Sequence, residues 1–254
     1  MTAPPEGRPR NDPHEDVGNA DSATRRGIGR GEGTVAEFQD RVDAGRQLAQ
    51  RLLPLRGQDV VVLGLPRGGV PVAYPVAEAL GAPLDVIVVR KLGVPVHPEL
   101  AMGAIGEDAA RVLEERTLDN FQITDAQLAA VEEQERTQLA ARTRRFRQGR
   151  QREDLTGRVA VIVDDGIATG ATARVACRIA RQLRAATVIL AAPVASAPAV
   201  AQIEEADEIV VLATPPEFAA VGYHYQDFSP TPDEEVVALL ETAHRRQKST
   251  EEPR

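Results

Sequence analysis

Residues 158–172 read RVAVIVDDGIATGAT, and their order decides the fold. The apolar run ending at Val163 is short, rich in valine and shows no polar alternation. That is the pattern of a strand buried on both faces. Asp164 and Asp165 close the run, a short Gly/Thr turn follows, and helical spacing begins near residue 171. Strand, acid pair, turn and helix make one unit of an open parallel α/β sheet, where ligands sit beyond the carboxyl ends of the strands. The turn over 168–172 offers backbone N–H groups at a helix N-terminus, joined by the hydroxyls of Thr169 and Thr172. This suits a phosphate monoester. Asp164 and Asp165 stand just before it, where they can bind vicinal hydroxyls or a hydrated Mg²⁺. A phosphate site beside a diol or metal site fits a sugar phosphate. No Gly-Lys-Ser/Thr follows and no Gly-x-Gly-x-x-Gly is present, so neither a Walker loop nor a dinucleotide fingerprint is read here.

Working outward, the same signal recurs at 59–65, 84–90, 186–192 and 208–212, with helical stretches near 70–80, 171–184 and 197–205. Continuous apolar strands alternating with helices predict a parallel sheet covered on both faces. Upstream, Thr34-x-x-Glu37 forms a capping box, and Phe38, Val42, Gly45, Ala49 and Leu52 follow helical spacing until Pro54 and Gly57. The pattern breaks between Lys91 and Arg158. A Gly/Pro-containing loop (92–99) leads to hairpin-like runs near 101–106 and 111–114, and Thr124-x-x-Gln127 then caps a long polar helix. Residues 136–152 carry seven Arg and no acid, either a solvated helix face or a basic flank for a phosphate ligand or an oligomer contact. Residues 1–33 hold six Gly and four Pro with little large apolar surface, which predicts a disordered tail. The expected organisation is one domain over 34–244, with a second disordered tail at 245–254.

Composition narrows the class. The chain has 254 residues, a formal net charge of −8 and 43% hydrophobic residues. That is enough for one well-buried domain. No stretch approaches the ~20 apolar residues of a membrane span, and no apolar h-region or twin-arginine export signal is read. A single cysteine, Cys177, excludes an internal disulfide framework and a thiolate zinc site and suits the cytoplasm. It falls inside the helix after the turn and reads as packing. The acidic balance argues against a general nucleic-acid coat. Arg outnumbers Lys 28 to 2, which makes Lys91 and Lys248 worth individual attention.

At this point a family resemblance emerges. The 158–172 segment resembles the phosphoribosyl diphosphate (PRPP) signature of type I phosphoribosyltransferases, in its Asp-Asp-x-x-Ala-Thr-Gly form closest to the adenine branch. Residues 34–243 are compatible with a member whose acceptor is unassigned. The resemblance implies that Gly166, Ala168, Thr169, Gly170, Ala171 and Thr172 cradle the 5′-phosphate. It implies that Asp164 and Asp165 hold the ribose hydroxyls or Mg²⁺, directly or through water. Gly64-Leu65-Pro66-Arg67-Gly68-Gly69 is similar to the family's pyrophosphate loop, where Arg67, Gly68 and Gly69 would meet the leaving group. Arg90 and Lys91, expected to end the second strand, match the family's paired basic residues. Residues 92–106 are the candidate flexible loop, with His97 and Glu107 as contributors. Ala171 stands where the family usually has Gly. Ala168 replaces the acid of 6-oxopurine members, which argues against hypoxanthine or guanine as acceptor.

The implied activity is Mg²⁺-dependent phosphoribosyl transfer from PRPP to a nitrogen acceptor with release of pyrophosphate. Arg67, Lys91, Asp164 and Asp165 would be its catalytic residues. A homodimer is compatible with it; nucleic-acid and membrane partners are not expected. The alternative is a PRPP-sensing regulator of the same fold with little turnover, its nucleic-acid surface falling on 136–152. A phosphorelay receiver fits poorly, since its acids would lie on the first strand. Four of the eight aromatics, Phe218, Tyr223, Tyr225 and Phe228, fall within eleven residues. They form either a hood over C1, with Tyr223 and Tyr225 on the acceptor, or a satellite core.

Overall fold

The structure, a computed structural model, describes residues 38–251. Helix α1 (Arg41–Leu52) runs through a 3-10 turn (Leu53–Leu55) to β1 (Val60–Gly64), α2 (Gly69–Leu80) and β2 (Leu84–Val86). Strands β3 (Arg90–Val94), β4 (His97–Ile105) and β5 (Arg111–Leu113) come next, then α3 (Glu115–Asn120) and α4 (Asp125–Arg147). The chain continues with β6 (Val159–Val163), α5 (Ala171–Gln182), β7 (Thr187–Val194), α6 (Ala197–Gln202) and β8 (Glu208–Ala213). A 3-10 turn (Val221–His224) and α7 (Asp233–Glu251) complete it.

The main sheet has the order β2-β1-β6-β7-β8 and every pairing is parallel. Its strands are nearly continuous apolar runs because both faces are covered. Val60 and Val62 of β1 join Val161 and Val163 of β6 in a core shared with Leu48, Val76 and Leu240 of the helices. Val61 and Leu63 point the other way, with Ala160 and Ile162, against Ala176, Cys177 and Ile179 of α5. The period of two in each strand thus feeds two separate cores. Gly45 lets α1 close on α2, since a Cβ there would lie 2.4 Å from the carbonyl oxygen of Val72.

Several expectations change. The capping box at Thr34 and Glu37 lies outside the described residues, as does the expected N-terminal tail, and α1 is capped by Asp40, whose carboxylate accepts from Asp43 N at 2.8 Å. Phe38 is therefore not helical: it bridges Tyr225 in parallel and is buried against it. The predicted 84–90 strand stops at Val86, and Arg90-Lys91 open a second, antiparallel sheet β3-β4-β5. The strand ends because its partner β1 ends at Gly64, whose carbonyl takes the last rung from Ile87 N at 3.2 Å; on the outer edge Arg147 donates to the Val86 carbonyl at 3.0 Å and pairs with Asp85 at 2.8 Å. Residues 92–106 are likewise a hairpin rather than an open loop. Finally, α7 continues through 245–251, where a tail was expected. The capping box at Thr124 and Gln127 is present in full at the start of α4.

Candidate active site

The three parallel-strand turns at the carboxyl ends of β1, β6 and β7 meet in one place. Leu65 N donates to the Val163 carbonyl, and Ile167 N donates to the Val194 carbonyl. These bonds tie the turn after β1 to β6 and the turn after β6 to β7. The loop 64–69, whose Pro66–Arg67 peptide bond is cis, runs directly over the acid pair. A Cβ on Gly68 would fall 1.9 Å from Asp165 Oδ2, and one on Gly69 would fall 2.5 Å from the Val163 carbonyl oxygen. Only glycine permits this approach of backbone to backbone and carboxylate. The two segments that sequence reasoning singled out separately are therefore one site.

Within it the two acids differ. Asp165 is held by Arg41, Nε to Oδ2 at 2.8 Å, and its carbonyl accepts the Tyr225 hydroxyl at 2.5 Å. Arg41 is itself fixed, donating to the Ser229 carbonyl at 2.8 Å with its guanidinium 3.9 Å from the Phe228 ring centroid. Asp164 has no such cation on it; its Oδ1 accepts from Asp165 N at 3.0 Å. Burial lifts both carboxyls above their usual range. For Asp164 the neighbouring Asp165 charge adds to that lift, whereas for Asp165 the Arg41 guanidinium pulls back. Arg41 belongs to no motif, and only the fold reveals it.

The turn after the acids is built as a cradle. Gly170 takes φ +76° and caps α5, while Ala168, Thr169, Ala171 and Thr172 are exposed around it. The first turn of α5 leaves N–H groups without intrahelical partners, and the helix dipole favours an anion there. Ser196 braces the turn from behind, Oγ to the Ala168 carbonyl at 2.7 Å. Gly166 lies so close to Val221 that a Cβ would meet its Cγ1 at 2.4 Å. The 221–228 segment thus rests on the cradle.

The remaining residues divide. Arg67 is exposed, its nearest carboxylate being Asp233 at 3.8 Å. Arg90 is bound to Glu135 and Gln138 of α4 at 2.8 and 2.7 Å. Lys91 donates to the Glu99 carbonyl across the hairpin at 3.0 Å and makes no contact with the acid pair. His97 is exposed and meets the Phe121 ring edge-on. The Glu107 carboxylate is taken up by the buried Arg147. Cys177 is buried, and burial pushes its thiol up to about 12. Phe38, Tyr225, Phe218, Val221 and Phe228 form a satellite core. It pins the entry to α1 and supports Asp165, whose carbonyl takes the Tyr225 hydroxyl. Tyr223 alone of the four aromatics is fully open, 77% exposed.

The 136–152 arginines are mostly committed to the fold. Arg136 pairs with Glu132, Arg145 with Asp233 and Glu234, Arg147 with Asp85 and Glu107, and Arg152 with Asp108. A free nucleic-acid stripe is not what they form.

A family model for the phosphoribosyl transferase domain matches residues 34–227. The chain belongs to the phosphoribosyl transferase family. Two Mycobacterium tuberculosis proteins provisionally named phosphoribosyl transferases, from strains H37Rv and CDC 1551, are each 59% identical over 209 residues. The match covers 82% of this chain and 47% of either relative, so the chain spans about half the length of the curated relatives it matches. The crystal structure of TT1426 from Thermus thermophilus superposes with a TM-score of 0.72 at 44% identity, covering 80% of this chain and 97% of that one. As a phosphoribosyl transferase domain, the chain has its acid pair, glycine loop and 168–172 turn at the carboxyl edge of the parallel sheet, where open α/β folds place ligands.

Proposed function

We propose that this protein is a PRPP-dependent, Mg²⁺-assisted phosphoribosyltransferase that passes the phosphoribosyl group to a nitrogen acceptor and releases pyrophosphate. The observation that carries the reading is the contact of Gly68 with Asp165, which brings the 64–69 loop against the acid pair beside the 168–172 turn. In this reading the exposed turn 168–172 anchors the 5′-phosphate. Asp164 and Asp165 hold the ribose hydroxyls, with Asp165 kept in position by Arg41 and Tyr225. The backbone at Gly68 and Gly69 and the Arg67 guanidinium receive the pyrophosphate, while Arg90 and Lys91 contribute positive charge from the second sheet. Catalysis is then positioning plus charge stabilisation on the departing group.

The residues fit a Mg²⁺ ion that arrives with its substrate. Among the described residues no group of three or more His, Cys, Asp or Glu could hold a metal unaided. Asp164 nevertheless makes no ion pair with a protein cation among the described residues, and Mg²⁺ commonly uses one or two carboxylates plus substrate phosphates and water. When bound, the ion supplies neutralisation of charge on the leaving diphosphate. Tyr223, exposed in the 3-10 turn whose Val221 packs on Gly166, is the residue assigned to the acceptor. No helix among the described residues is long and apolar enough to cross a membrane, and the single buried thiol suits a reducing cytoplasm.

Calorimetry with PRPP and Mg²⁺ tests the reading. The wild type should bind, and Asp164→Asn with Asp165→Asn should weaken binding by tenfold or more, on the order expected for lost charged hydrogen bonds. A wild type that takes up no PRPP would overturn it.

A further inference from the structure

Arg142 is a guanidinium whose only partner among the described residues is an aromatic ring. It shares one side of α4 with Glu135, Gln138 and Arg145, which lie seven and four residues before it and three after it. The two ends of this stripe are anchored. Glu135 and Gln138 grip Arg90. Arg145 reaches Asp233 at 3.1 Å and Glu234 at 2.7 Å at the start of α7, and the same Asp233 is the nearest carboxylate to Arg67. Arg142 falls between these anchors, half-buried, with its guanidinium 5.5 Å from the Phe146 ring centroid. Among the described residues it makes no hydrogen bond and no ion pair.

The charge balance around it is unfavourable. Burial is the main pressure against its positive form; Asp233 opposes that pressure, and the like charges of Arg67 and Arg90 add to it. Four guanidiniums (67, 90, 142, 145) face three carboxylates (Glu135, Asp233, Glu234). A partly desolvated charge with no hydrogen-bonding partner raises the free energy of the fold, and a multivalent anion entering beside Arg67 relieves it. Guanidinium also matches phosphate oxygens in a two-pronged geometry that lysine cannot reproduce.

We propose that Arg142 binds the diphosphate of PRPP together with Arg67 and Arg90, making the α4 face a wall of the pyrophosphate subsite; this rests on the PRPP reading above. The basic run at 136–152 is then divided in purpose, most of it holding α4 to the body and one member reserved for ligand.

The test is calorimetry of Mg²⁺-pyrophosphate, PRPP and ribose 5-phosphate with wild type, Arg142→Gln and Arg142→Lys. Arg142→Gln should weaken pyrophosphate and PRPP by on the order of tenfold and leave ribose 5-phosphate unchanged, and Arg142→Lys should fall between. If the Gln variant does not fold, the Lys variant must still lose pyrophosphate affinity selectively. Unchanged pyrophosphate affinity would overturn the assignment, as would a parallel loss for ribose 5-phosphate, the mark of a packing role. A wild type that binds none of the three brings down the PRPP reading as well; a wild type that binds PRPP, matched by Arg142→Gln, brings down only this one.

Discussion

Gly68→Ala places one methyl group at the junction of the site. Its Cβ would lie 1.9 Å from Asp165 Oδ2, 2.7 Å from Cγ and 3.1 Å from Arg41 Nε. The backbone there is right-handed, φ −62° and ψ −31°, so alanine is conformationally allowed. On that count alone the substitution would stabilise by about 0.4–1 kcal/mol through the unfolded chain. The penalty comes from contact. Asp165 must turn aside and lose its bond to Arg41, and a hydrogen bond to a charged group contributes about 1.5–3 kcal/mol. The balance is a loss of about 1–2 kcal/mol, a fall of a few degrees in Tm for a domain of this size. PRPP affinity should drop by on the order of tenfold, because the redirected acid no longer meets the ribose. Gly69→Ala differs in kind: its Cβ would strike the Val163 carbonyl oxygen at 2.5 Å and Asp164 Cα at 3.0 Å, and the backbone of β6 cannot swing away. It should cost more stability than Gly68→Ala, about 1–3 kcal/mol or beyond. Urea unfolding and PRPP calorimetry on both variants check this. A Gly68→Ala protein as stable as wild type, with equal PRPP affinity, would refute the packing of the loop on Asp165.

Arg147→Ala should cost about 3–5 kcal/mol, since it leaves Asp85 and Glu107 buried without their cation; a urea midpoint close to wild type would contradict the latch seen at the sheet edge. Cys177 should resist a thiol reagent at pH 8 until the protein unfolds, because burial pushes its thiol up to about 12; rapid labelling of folded protein would show α5 to be open. Burial raises the Asp164 carboxyl, so the folded state keeps a proton that the unfolded state releases. Stability of the unliganded protein should therefore decline as pH rises from the ordinary carboxylate range through the raised folded value. Asp164→Asn should flatten that slope in thermal melts taken across the range, and an unaltered slope would remove Asp164 as its source.

The parallel sheet was legible because its strands are continuous apolar runs, and burial on both faces leaves little else for such runs to be. The strand, turn and helix around the acid pair were legible because these segments are contiguous in the sequence. What escaped depends on contacts between distant residues. Nothing local to Ile87, Val88 and Val89 reveals that the partner strand β1 ends at Gly64, or that Arg147, some sixty residues later, binds the outer edge at Val86. Helical spacing claims Phe38, yet Asp40 stops the helix short and Phe38 packs on Tyr225. Nearness in sequence pairs Tyr225 with Tyr223 as acceptor residues. The 3-10 turn instead sends one hydroxyl to the Asp165 carbonyl and leaves the other ring in solvent. Arg41 carries no local signature and Arg142 is only one of seven arginines in the 136–152 run, so the role of each comes from what the fold brings beside it.

The central claim is transfer with loss of pyrophosphate. The direct measurement is incubation of the protein with PRPP, Mg²⁺ and a panel of nucleobases and related nitrogen compounds, with pyrophosphate and the new ribosyl phosphate followed by mass spectrometry. The account predicts stoichiometric appearance of both products with at least one acceptor, abolished by Asp164→Asn with Asp165→Asn. PRPP that binds but yields pyrophosphate with no member of the panel would contradict it.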